Sequence, residues 1–159
     1  MRKLKLISCL IVGLLCCLQL APVANAASTF ASELANYRTN NETTSNAARE
    51  LTAYVATERL FARSVRRNIR QSPVLVRTYL TTLDQIDSTT RRIVRDQRAS
   101  DRVLADVMAL VDDKHIDAAW ILLKRGTTGQ ERFLATIART RLLVAKCKVL
   151  HVQLKSMGG

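Results

Sequence analysis

The chain has 159 residues, a formal net charge of +12, four cysteines and only 4% aromatic residues. That length is enough for one domain with a real core. Only Cys147 lies beyond the first 26 residues, so the body of the chain holds no intramolecular disulfide, and without a C-x-x-C-H it holds no c-type haem site.

Met1–Ala26 has the three-part layout of a secretory signal peptide. Arg2, Lys3 and Lys5 precede an apolar run from Leu6 to about Leu20. Pro22 and the small-x-small pattern Ala24-Asn25-Ala26 follow. Cleavage after Ala26 is expected, which gives a secreted or periplasmic protein. The apolar run is shorter than the ~20 residues that span a bilayer comfortably, against an uncleaved anchor. Leu14 and Leu15 are bulky before Cys16 and Cys17, against lipid attachment. Removing the leader takes away three of the 25 basic residues and none of the 13 acidic ones, leaving a charge near +9 in which arginine dominates.

Residues 27–44 read as a polar arm ending in a loop at Thr39–Thr44, and 45–159 as a helical bundle domain. Asn41-Glu42-Thr43 matches a glycosylation sequon but reads as an ordinary polar loop. The first long helix is expected from Ser45 to Arg70, because Ala48, Leu51, Val55, Ala62, Val65 and Ile69 recur at helical spacing. Glu58 falls on that apolar stripe. A carboxylate there is costly unless paired, and a neighbouring arginine is the expected partner.

Ser72-Pro73 is a helix start, with Ser72 at the N-cap and Pro73 in the first turn. The second helix is expected to run to Gln97 on a stripe of Val76, Tyr79, Leu80, Leu83, Ile86, Ile93 and Val94. A tight turn at Ala99-Ser100 leads to a third, from Asp101 to Lys124, broken or kinked at Asp112–His115. Gly126-Thr127-Thr128-Gly129 reads as a loop. A fourth helix from Thr128 to Lys155 carries Phe133, Ile137, Val144, Cys147, Leu150 and Leu154. Short turns imply antiparallel neighbours, so the expected fold is all-α, an up-and-down four-helix bundle.

Catalysis has little to work with: two histidines, one thiol, and no G-x-S-x-G, H-E-x-x-H or Gly-rich phosphate loop. No enzyme, cofactor or metal site is expected. Cys147 and His151 share a helix face, as two metal ligands would, but two ligands do not make a site. Asp112, Asp113, His115 and Asp117 lack the EF-hand pattern and read as capping of a helix restart. Trp120 reads as a core anchor. Scarce aromatics argue against single-stranded nucleic acid, which needs stacking surfaces beside positive charge.

The arginines are the feature that could carry function. Arg63, Arg66, Arg67 and Arg70 end the first predicted helix. Arg77 begins the second, and Arg91, Arg92, Arg95 and Arg98 end it. Antiparallel pairing would put the first five at one end of the bundle and the last four at the other, as two basic poles. Each pole could complement a helix dipole or dock on an anionic surface.

The stretch ALVDDKHIDAAWILL, Ala109–Leu123, is similar to the helix-turn before the final helix in the periplasmic four-helix-bundle sensor domains of chemoreceptors. That resemblance implies a small-ligand pocket between helices. The residues themselves favour an exported interaction or accessory protein of the cell envelope, acting by binding on an acidic protein partner or an anionic envelope surface. The alternative is a binder of anionic lipid or lipopolysaccharide through the arginine-rich face. Membrane contact after cleavage would be peripheral at most.

Overall fold

The computed structural model describes residues 2–67 and 72–157, with side chains described for 28–66 and 72–157. The leader expectation for Met1–Ala26 falls outside the described side chains, as do Arg67 and Arg70. Three helices follow one another: α1 (Arg2–Arg67), α2 (Pro73–Asp112) and α3 (Ile116–Met157). The chain divides into two compact units, Met1–Tyr37 and Arg38–Gly159. The described residues of the first are helical. The second is a three-helix bundle, so the four-helix expectation is corrected.

The reason lies in three heptad stripes whose steps are three, four or a full seven residues. On α1 the stripe within the bundle is Asn41, Thr44, Ala48, Leu51, Val55, Glu58, Ala62 and Val65, with Ala47 buried beside it. On α2 it is Val76, Tyr79, Leu83, Ile86, Thr90, Ile93, Gln97, Ser100 and Val107, with Thr82 buried beside it. On α3 it is Ala119, Leu123, Gln130, Phe133, Ile137, Thr140, Cys147 and Leu150. This spacing keeps one face of each helix against its neighbours over many turns. The stripes run straight through both segments expected to be turns.

At Ala99-Ser100 the stripe is polar, which hides its continuity. The Gln97 amide donates to Asn41 Oδ1 at 3.0 Å and to Asp101 Oδ1 at 2.9 Å. Asn41 Nδ2 donates to the same Asp101 oxygen at 2.8 Å, and Gln130 Nε2 donates to Ser100 Oγ at 3.3 Å. These pairings satisfy amide N–H donors that burial would otherwise penalise by about 1–3 kcal/mol each, while the Gln97 amide oxygen makes no hydrogen bond. They also place Thr39–Thr44 within α1 rather than in a loop, and bury the asparagine of the sequon.

Gly126–Gly129 is helical as well. Thr127 Oγ1 donates to the Leu123 carbonyl at 3.0 Å, and Thr128 Oγ1 to that of Lys124 at 3.3 Å. Two glycines cost a helix about 1 kcal/mol each relative to alanine. Burial of Leu123 and Phe133 on either side, at about 1.5–3 kcal/mol per large side chain, outweighs that.

The turn that does exist is Asp113–His115, where a kink or break was expected. Lys114 N–H donates to the Val111 carbonyl at 3.0 Å, and His115 N–H to that of Leu110 at 2.8 Å. Lys114 has φ 62°, so a Schellman cap ends α2 with lysine in the left-handed position usually held by glycine. The His115 carbonyl then accepts the Ala119 N–H at 3.0 Å and starts α3. Ser72 stands before Pro73 as expected. Its carbonyl accepts the Val76 N–H, while its hydroxyl makes no capping bond.

Two apolar clusters fill the bundle. One joins Ala47, Ala48, Leu51, Ile93, Phe133 and Ile137. The other gathers Val55, Ala62, Tyr79, Leu83, Ile86, Cys147 and Leu150. Among the described residues no helix is long and apolar enough to cross a membrane.

Candidate anion-binding groove

Beside the buried stripes of α1 and α2 run two further heptad rows. On α1 the row is Thr52, Ala56, Arg59, Arg63 and Arg66; on α2 it is Leu80, Asp84, Asp87, Arg91, Val94 and Arg98. Antiparallel packing sets the rows side by side along a groove. One stretch, about 940 Å³ in volume, reaches from Thr52 and Arg98 to Arg59 and Asp87 and includes Arg95. A second, about 360 Å³, continues past Arg63 and Arg66 to Leu80. The two share Arg59, Asp84, Asp87 and Arg91. At ~1.5 Å per residue, Leu80 to Arg98 spans about 27 Å.

Asp87 organises the centre. Arg59 reaches its Oδ2 at 2.5 Å from α1, and Arg91 binds the same oxygen from one turn further along α2. Donation from Arg91 holds the Asp87 carboxyl below its ordinary range. Partial desolvation opposes this, and Arg59 adds to it. Among the described residues no carboxylate pairs with Arg63, Arg66, Arg95 or Arg98, and all four are exposed. Six arginines thus face one groove against two aspartates.

This arrangement replaces the two poles. Because α2 continues to Asp112, Arg91–Arg98 lie near its middle and have no C-terminal dipole to complement. Five of the nine expected residues line the groove: Arg63, Arg66, Arg91, Arg95 and Arg98. Arg92 lies off it, 3.7 Å from Asp96. Arg77 is exposed on α2 away from the lining. Sequence reasoning missed the role of Arg59 and Asp87. The four-residue spacing of Asp87 and Arg91, which favours an ion pair on one helix face, was the available signal.

A second polar site is buried in the bundle. Glu58, 6% exposed, accepts from the Tyr79 hydroxyl at 2.6 Å and lies 2.9 Å from His151 Nδ1. The expected arginine partner is therefore replaced by a tyrosine and a histidine from two other helices. Phe61 stacks on the His151 ring with centroids 3.8 Å apart. Burial, then donation to Glu58, raises the Tyr79 hydroxyl well above the usual phenol range, so it remains a donor. Cys147 is fully buried and its thiol is raised mainly by desolvation, with nearby Tyr54 opposing, so it is held protonated and is a poor nucleophile. The Tyr54 hydroxyl lies close by, buried and without a hydrogen bond of sound geometry. Among the described residues no group of three or more His, Cys, Asp or Glu side chains could hold a metal ion. Trp120 is half-buried, with Lys124 Nζ 4.6 Å from its ring centroid.

No protein-family model, no curated protein and no solved structure matches the chain.

Proposed function

We propose that this chain is a binding protein of the cell envelope, with no catalysis of its own, whose α1/α2 groove docks an acidic segment of a partner protein. The observation that carries it is the convergence of Arg59, Arg63, Arg66, Arg91, Arg95 and Arg98 on one concave surface. Such a cleft concentrates positive potential along a line. A protruding acidic segment can follow a groove between two helices, whereas a planar bilayer meets only its rims. That favours an acidic protein over anionic lipid or lipopolysaccharide. Action after export rests on the layout of Met1–Ala26.

The test is binding of a labelled polyglutamate peptide and of anionic vesicles. Peptide affinity should fall by at least about tenfold between low and moderate salt, because exposed charges are screened within ~10 Å at 0.1 M. Reversing Arg91, Arg95 and Arg98 to glutamate should abolish it while the circular dichroism spectrum stays helical. Vesicle binding without peptide binding would transfer the reading to lipid. Peptide binding that survives the triple reversal, or ignores salt, would overturn it.

A further inference from the structure

The outer face of α3 carries a second apolar stripe that the bundle leaves uncovered. Ala135, Ala138, Leu142, Ala145, Val149 and Val152 follow an alternation of three- and four-residue steps, the heptad spacing of the buried stripes. All six are exposed: Leu142 by 73%, Val149 by 58% and Val152 by 66%. Cations border the stripe on both sides at heptad intervals. Arg132, Arg139 and Lys146 form one row; Arg141, Lys148 and Lys155 form the other, in which Arg141 also lies 3.5 Å from Glu50 of α1 and Lys148 Nζ 5.9 Å from the Tyr54 ring centroid. From Arg132 to Met157 the helix contains no acidic residue.

We propose that this face is a coiled-coil seam for an acidic amphipathic helix of a partner protein. The seam is distinct from the α1/α2 groove and does not depend on it. An apolar seam bordered by one sign of charge selects a partner bordered by the other. A second copy of this chain is disfavoured, because either orientation would set cation rows against cation rows. A bilayer is also poorly matched. The stripe has no aromatic anchor, and half of its members are alanines, which give little apolar volume to insert. Small residues alternating with Leu142 and Val149 instead let a partner helix approach closely and seat its own side chains between them. Ala135 to Val152 offers about 26 Å of seam, at ~1.5 Å per residue.

The probe is a fluorescent peptide of roughly three heptads with leucine at the apolar positions and glutamate at the flanking ones, titrated with the full chain. A control peptide has lysine at the flanks. The acidic peptide should bind and the basic one should not. Leu142→Glu with Val149→Glu should weaken binding at least about tenfold with the helical spectrum unchanged, whereas the triple groove reversal should leave it within about twofold. Equal binding of both peptides, or full binding by the α3 double variant, would overturn the seam. So would loss of binding in the groove variant, which would assign the peptide to the groove. A dimer that dissociates on Leu142→Glu would name a second copy as the occupant. Binding to anionic vesicles in place of the peptide would name the membrane. Either result would end the proposal.

Discussion

Two carboxylates sit beside the same bundle core and are treated in opposite ways. Glu58 is buried and is held by a phenol and an imidazole, one from each of the other helices. Asp87 lies at the groove wall and is held by two arginines that are themselves 53% and 70% exposed. Removing Glu58 strands a fully buried phenol and a half-buried imidazole. Removing Asp87 strands arginines that water already solvates. The first carboxylate should therefore matter to folding, and the second to what the groove binds.

Glu58→Ala gives the largest effect. It leaves the buried Tyr79 hydroxyl without its acceptor and His151 without its partner, and should lower unfolding free energy by about 3 kcal/mol. Glu58→Gln keeps an acceptor for Tyr79 and should cost clearly less. Urea denaturation measures both. A loss under about 1 kcal/mol for Glu58→Ala would mean the carboxylate is not buried as described and would erase the contrast with Asp87. A paired replacement sharpens it. Glu58→Leu with His151→Leu removes charge and partner together and should cost much less than the two single changes added, because each single change leaves the other group unpaired.

How much of this was legible follows from the chemistry of the stripes. Apolar spacing revealed the helices, and Glu58 stood out because it interrupted an apolar pattern. Its partners did not, because Tyr79 and His151 come from other helices and nothing in a linear pattern brings them together. The helix count failed where the stripe turns polar. Gln97, Ser100 and Gln130 are core residues only because they bond across the bundle, and glycines at 126 and 129 imitate a loop. The actual turn lacks a glycine and so read as a kink or break within one helix rather than as a connection between two. The two sites give predictions of opposite origin. Lys114→Gly should stabilise by about 1 kcal/mol, since lysine pays a left-handed penalty that glycine avoids. Gly129→Ala should stabilise by about 0.5–1 kcal/mol, since an added Cβ meets nothing within 4 Å. Thermal melts decide each. Destabilisation by Gly129→Ala would show that the helix does not have the open space described at this position.

Asp87 gives the smallest effect on stability and the most informative one on binding. Its folded pKa is depressed, chiefly by donation from Arg91. Its ion pairs therefore stabilise the folded chain above the ordinary carboxylate range, and that contribution is lost as pH falls through the depressed value. The difference in stability between the wild-type chain and Asp87→Asn should accordingly be constant near neutrality and close only below about pH 4. With both arginines exposed, it should be no more than about 1 kcal/mol. The same substitution removes a negative charge from the wall of the groove and frees Arg59 and Arg91 for another anion. Asp87→Asn should thus tighten polyglutamate binding at low salt, whereas Glu58→Gln, buried away from the groove, should leave it unchanged. Weaker binding in Asp87→Asn would show that Asp87 aims the arginines rather than competing for them, and the carboxylate would then belong to the binding surface itself.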